Sequence, residues 1–184
     1  MPLLDGVVPE VFVQPGECRL VTEPTVLCTV LGSCVGITFR VPRLGIGALC
    51  HPMLPRYPAH RIANSSEDGN RRYVDFAIHD IAQQLDSFSA ARHETQVKLF
   101  GGGDVLPIAS STSRPTVGKM NSEAAMRVLE QEGFTVSACR LGGATGVHIQ
   151  FHTATGEVLL RNLDPGVPRG PKATPKVHRC EPRQ

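Results

Sequence analysis

Tryptophan is absent from this sequence, and only two tyrosines and seven phenylalanines stand among its 184 residues. Aliphatic and β-branched side chains must therefore fill most of any core. Strong charge of one sign is missing too. Nineteen Lys and Arg face seventeen Asp and Glu, a formal balance of +2. That balance gives no electrostatic reason to expect nucleic-acid binding across the surface. No stretch approaches the roughly 18 uninterrupted apolar residues of a membrane span. The opening MPLLDGVVPEVFVQPGE lacks a basic segment followed by an apolar one. A secretory signal is therefore not expected, and a cytoplasmic location is. No C-x-x-C pair and no clustered Cys/His spacing of a zinc site occurs, so neither metal nor cofactor is expected. In a reducing compartment the six cysteines, at 18, 28, 34, 50, 139 and 180, read as free thiols. The run GGGD at 101–104 lacks the Gly-Lys-Ser/Thr ending of a phosphate loop and reads as a tight turn.

What is present fits one domain with a sizeable core. Residues 1–24 read as a lead-in with one or two strands, broken by Pro9, Pro15 and Pro24. TVLCTVLGSCVGITFRV is β-branched and apolar, with Gly32-Ser33 interrupting it, so it predicts a strand, a sharp turn and a second strand. In that second strand Val35, Ile37, Phe39 and Val41 share one face, and Cys34, Gly36, Thr38 and Arg40 the other. IGALCH predicts another strand, ended by Pro52. Residues 55–72 form a long polar loop of the kind that is often functional. Val74, Ala77, Ile78, Ile81 and Leu85 recur at helical spacing. VKLF at 97–100 predicts a strand. NSEAAMRVLEQEG predicts a second helix, capped by Asn121 or Ser122 and closed by Gly133. FTVSA, VHIQF and EVLLRNL predict strands, the last two a hairpin around Thr155-Gly156. The fold class expected is α+β: a single layered domain at 1–163, its β-rich core of packed sheets flanked by two main helices. The Pro-rich basic stretch 164–184 is expected to be a disordered tail.

The stretch from Cys34 to His51 reads as a hairpin. A symmetric pairing sets Val41 opposite Leu44 and hence Cys34 opposite His51, with Cβ atoms about 4.5–5.5 Å apart. A thiol so placed can be activated by an imidazolium, which lowers its pKa and yields the nucleophilic thiolate. Backbone N–H groups in the Gly32-Ser33 turn could stabilise an oxyanion. A cysteine in an apolar strand is as a rule a small buried hydrophobe, and Cys28 and Cys50 read that way. His148 and His152 alternate with Val147, Ile149 and Phe151, as on the solvated face of a strand.

Several segments together are more specific than this pattern. LGSCVGITF, followed by GALCHPMLP with its histidine seventeen residues after the cysteine, resembles the chemoreceptor glutamine deamidase family CheD. RYVDFAIHDIAQQL, KLFGGGDV, VGKMNSEAAMRVLEQEGF, the LGG turn and TGEVLLRNL match the family in the same order, over about residues 7 to 163. The resemblance implies hydrolysis of selected glutamine side-chain amides of chemotaxis receptors to glutamate and ammonia. It implies Cys34 as nucleophile and His51 as general base and acid, through a thioester. It also implies a fold like that of cytotoxic-necrotizing-factor-type toxin deamidases, receptor helices as substrate, and a CheC-type phosphatase as partner. The family's third catalytic residue is a threonine six positions before the nucleophile, where this chain has Cys28, with Thr29 beside it. Either Thr29 supplies the hydroxyl through a local irregularity, or a backbone carbonyl orients His51. Two other classes compete. One is a binding module for a CheC-like phosphatase or receptor helices, with little or no catalysis. The other is a redox protein pairing Cys34 with Cys28 or Cys50.

Overall fold

The computed structural model describes residues 7–58, 70–105 and 115–163. The stretch 164–184 and most of the polar loop at 55–72 lie outside those residues. Among the described residues nine strands form two sheets. The first sheet has four strands, β1 (Glu10–Phe12), β3 (Val26–Leu31), β8 (Gly146–His152) and β9 (Val158–Leu163), in that order. The second runs β2 (Cys18–Val21), β5 (Ile46–Cys50), β4 (Val35–Val41), β6 (Gln96–Gly101) and β7 (Val136–Leu141). Two helices, α1 (Val74–Ser87) and α2 (Val117–Gln131), complete the α+β fold that the sequence predicts. Neither helix is long and apolar enough to cross a membrane.

Two cores explain the sequence pattern. Val35, Ile37, Phe39 and Val41 pack with Ile46, Ala48 and Cys50 against the apolar stripes of α1 and α2. Leu27, Leu31, Leu49, Phe100, Ile149 and Phe151 fill the space between the sheets, and Cys34 packs against their edge. β4 is thus covered on both sides, which is why it reads as a continuous apolar run. Its alternation is as expected, with Cys34 on the inter-sheet side. Where small residues stand on that side, the sheets close in. A Cβ on Gly36 would lie 2.8 Å from Leu31 Cδ1, and one on Gly47 2.5 Å from Thr153 Cβ.

The β4–β5 pairing differs from the symmetric hairpin. Val41 pairs with Ile46, not Leu44, and Ile37 pairs with Cys50. The cause is a 3₁₀ turn at Pro42–Leu44, closed by Gly45 in the left-handed region with φ +66°. Two more residues therefore sit in the turn than a tight pairing would need. Val35 N–H donates to Pro52 O at 3.2 Å, which continues the same register. The next position along places Gly36, not Cys34, opposite His51. An even slip preserves the face, so Cys34 stays on His51's side of the ladder, one diagonal step away.

The second helix begins four residues earlier than NSEAAM predicts. Its cap is Thr116, whose hydroxyl accepts from Lys119 N–H at 3.2 Å. Asn121 is therefore inside the helix, while Gly133 follows its end with φ +79° as expected. Cys18, Cys28, Cys34 and Cys50 are free thiols. Cys139 is disulfide-bonded, contrary to the expectation for all six.

β6 ends on Gly101, which pairs with Val35. Its φ is +90°, and a Cβ there would lie 2.4 Å from the Cys34 carbonyl oxygen. Backbone cannot move aside as a side-chain tip can. Gly101→Ala is expected to destabilise the fold by about 1–3 kcal/mol. Urea unfolding checks this: the midpoint should fall with an unchanged slope, and a wild-type midpoint would contradict the packing described.

Candidate active site

The turn Gly32–Cys34 joins β3 in one sheet to β4 in the other, and its three carbonyls are all held. Gly103 N–H donates to Gly32 O at 2.8 Å, and Gly102 N–H donates to Cys34 O at 2.7 Å. Asn121 Nδ2 donates to Ser33 O at 2.9 Å, and also to Met53 O at 2.9 Å. The glycine run at 101–104 is not the tight turn the sequence predicts: Gly101 ends β6, and the N–H groups of 102–104 bond to Cys34, Gly32 and Gly143 instead of to one another. Its use is to hold the cysteine's own turn. The fit is close, since a Cβ on Gly118 of α2 would lie 2.5 Å from Gly102 O. Cys34 is partly exposed and lines a cleft of about 400 Å³ with Gly16, Ser33, Met53, Leu54 and Arg72.

His51 lies behind that cleft, just after β5, and is 1% exposed. Its main chain is fixed on both sides: its N–H donates to Glu17 O at 2.8 Å, and its carbonyl accepts from Gly16 N–H at 2.7 Å. Its Nδ1 lies 2.8 Å from Thr29 Oγ1. The Thr29 hydroxyl donates its one hydrogen to Val13 O at 2.7 Å. It can therefore only accept from His51, so the proton of the neutral ring sits on Nδ1. Nε2 is left as the basic nitrogen. It is buried and has no hydrogen-bond partner among the described residues.

Thr29 needs no irregularity to reach His51. β3 pairs with β8 in unbroken register. Leu27, Thr29 and Leu31 are all fully buried, with Leu27 and Leu31 in the inter-sheet core. Cys28 instead faces away, its thiol donating to Glu10 Oε1 at 3.5 Å. The sequence-level alternatives thus resolve into one arrangement. Thr29 contacts the imidazole, and the Val13 carbonyl fixes Thr29.

Burial sets the protonation states. It raises the Cys34 thiol above its ordinary pKa, with the residue's own backbone N–H pulling the other way. It lowers His51, and the Val13 carbonyl partly opposes that. Desolvation disfavours the charged form of each. At neutral pH the pair rests as thiol and imidazole, not as the thiolate–imidazolium pair expected from the sequence.

The structure joins Thr29 to His51 and sets Cys34 beside Gly32 and Ser33 on one turn. Cys34 and His51 share a face of the ladder but are not directly opposed as the sequence reading has them, and no hydrogen bond joins them among the described residues. It adds Asn121, Gly102 and Gly103, which sequence reading missed. The signal for Asn121 was present: it lies on the same stripe as Ala124 and Ala125, all three buried. A polar residue there must be bonded to something. Among the described residues no group of three or more His, Cys, Asp or Glu could hold a metal ion.

Fold and site define a two-sheet α+β protein with a thiol, an oriented imidazole and a buried hydroxyl set where its sheets meet. Residues 53–162 match the family described as CheD chemotactic sensory transduction, and the chain belongs to that family. The matched span begins just after His51, but similar proteins extend through the site. A Geobacter sulfurreducens protein named probable chemoreceptor glutamine deamidase CheD 2 is 41% identical over 156 residues, covering 85% of this chain and 91% of its own. A Maridesulfovibrio salexigens protein named probable chemoreceptor glutamine deamidase CheD is 33% identical, covering 89% of this chain and 98% of its own. One of the same name from Rhodospirillum rubrum is 32% identical, covering 86% and 85%.

If His51 acts as a neutral base, kcat/KM for the reaction at Cys34 should rise with pH as His51 loses its proton. The half-point should lie below the ordinary histidine value of about 6.5. The rate should then stay level until the raised thiol ionises. A pH–rate profile checks this. A half-point near or above pH 7 would contradict the burial-driven shift.

Proposed function

We propose that this chain is a cytoplasmic protein-glutamine deamidase, converting glutamine side chains of chemotaxis receptors to glutamate through a thioester on Cys34. The observation that carries the reading is the Val13–Thr29–His51 chain. It leaves Nε2 as the basic nitrogen of a side chain that shares its ladder face with Cys34.

The reaction follows from those groups. The Cys34 sulfur attacks the carboxamide carbon as Nε2 of His51 takes the thiol proton. Negative charge gathers on the amide oxygen, where the turn's backbone N–H groups can receive it. The imidazolium gives its proton to the nitrogen, the C–N bond breaks, and ammonia leaves. His51 then takes a proton from water, whose oxygen attacks the thioester. The carboxylic acid forms, and the proton returns to the Cys34 thiol. A buried imidazole held by one nitrogen can shuttle the proton without turning.

A receptor cytoplasmic fragment incubated with the protein, then mapped by peptide mass, tests the reaction. Cys34→Ala and His51→Ala are each expected to abolish glutamine-to-glutamate conversion while the fold persists. Full activity in either would sink the assignment. Conversion by neither variant nor wild type would favour a binding module. A CheC-type phosphatase as partner belongs to the same proposal, and retention of a purified one on the immobilised protein checks it.

Thr29 is assigned the orienting role. Thr29→Val keeps the shape but removes the hydroxyl to which both His51 Nδ1–H and the Val13 carbonyl bond. It is expected to lower kcat roughly 10²-fold with little change in KM, while Thr29→Ser should retain most activity. Steady-state kinetics on the same fragment decide it.

A further inference from the structure

We propose that Asn121 is a positioning residue that aims the Cys34 backbone N–H at the oxygen of the reacting amide, an inference that rests on the deamidase reading above. The peptide bonds are all trans among the described residues. In a trans peptide the carbonyl and the following N–H point in opposite directions across one plane. Whatever grips Ser33 O therefore fixes where the Cys34 N–H points.

Three consecutive peptides make this turn. The first and third are gripped by backbone, through Gly103 N–H on Gly32 O and Gly102 N–H on Cys34 O. The middle one, which carries the Cys34 N–H, is gripped by a side chain, Asn121 Nδ2 at 2.9 Å. On its other side the Cys34 N–H finds no backbone acceptor among the described residues. It lies instead toward its own sulfur, and its effect on that thiol is to favour the thiolate. A donor that stabilises charge on sulfur is close enough to meet the oxygen that develops charge once the sulfur has bonded to carbon.

The second hydrogen of the same amide goes to Met53 O at 2.9 Å. Asn121 thereby ties the turn before Cys34 to the segment after His51, and sets nucleophile and base relative to each other. Both hydrogens are spent on two carbonyls, and Oδ1 is left buried with no partner among the described residues. The side chain is fully buried. Asparagine is also a poor helix former. Neither packing nor helix stability accounts for it, whereas control of the Ser33–Cys34 peptide does.

Asn121→Leu removes the grip, and Asn121→Asp sets carboxylate oxygens against the two carbonyls. Each is compared with wild type by two reactions of Cys34. Deamidation of a receptor fragment passes through an oxyanion. Alkylation by iodoacetamide, read at Cys34 by peptide mass, displaces iodide and forms none. In either folded variant kcat should fall about 10²–10³-fold, the effect of losing one oxyanion donor. KM, and the limiting alkylation rate at high pH where the thiol is ionised whatever its neighbours do, should stay within about twofold. An unchanged kcat, or a parallel loss of kcat and that limiting rate, would overturn the proposal. Should neither variant fold, hydrogen exchange of the wild-type Cys34 amide decides: rapid exchange supports an N–H aimed into the cleft, and protection like that of the β4 ladder amides refutes it. A wild type that deamidates no receptor fragment would instead remove the deamidase reading itself.

Discussion

The hydroxyl of Thr29 has a single hydrogen, and Val13 takes it. His51 must then be the donor in the contact between them, and its other nitrogen must be the base. That assignment depends on three chain segments arriving within hydrogen-bond reach. Val13 is placed by its N–H on Cys28 O, and the His51 main chain by Glu17 and Gly16. Thr29 is placed by the β3–β8 ladder. The hydrogen bond also crosses from one sheet to the other, so the sheet spacing is part of the site. Glycines at 36 and 47, where a side chain would collide with the facing sheet, let that spacing be small. Sheet packing here positions an imidazole as well as filling a core.

The turn bearing Cys34 is held differently, by donors that are mostly main chain. Backbone donors carry no side-chain entropy to lose, and Gly101 and Gly102, with positive φ and no side chain, let the chain pass closely enough to supply them. The exception is Asn121. Its unpaired Oδ1 carries a desolvation cost of about 1–3 kcal/mol. A helix that accepts this cost next to the nucleophile's turn follows the general pattern in which local rules yield at functional positions.

Much of this was legible in the sequence, for identifiable reasons. Alternation along VGITF placed Cys34 on the inter-sheet side, because a strand's period of two survives any tertiary context. The α1 stripe likewise specified its helix. Register did not follow, because it depended on the 3₁₀ turn at Pro42–Leu44, whose extra residues leave no mark on the alternation. The face survived only because the slip was even. Thr29 was ambiguous when counted back from Cys34 across the irregular Gly32-Ser33 turn. Counted along its own strand it was not: Leu27, Thr29 and Leu31 alternate inward. Asn121 was read as a cap because the true start, Thr116, lies where the sequence offers no capping box. The donors from Gly102 and Gly103 could not be seen at all, since a backbone N–H has no sequence identity.

The resting charge state bears on why an amide can be the substrate. A thiolate–imidazolium pair would keep the proton on the imidazole before attack, and forming it in a dry site would require charging two groups that burial discourages. In the proposed reaction, with both neutral, the proton leaves sulfur only as the C–S bond forms. It then waits on Nε2, beside the nitrogen that must receive it before ammonia can depart. Expulsion of an unprotonated amide nitrogen is the step water alone cannot manage at neutral pH. A base held by Thr29, shielded from solvent and unpaired on its working side keeps that proton from exchanging elsewhere. In that reaction the burial that raises the thiol and lowers the imidazole is the same feature that would deliver the proton to the leaving group.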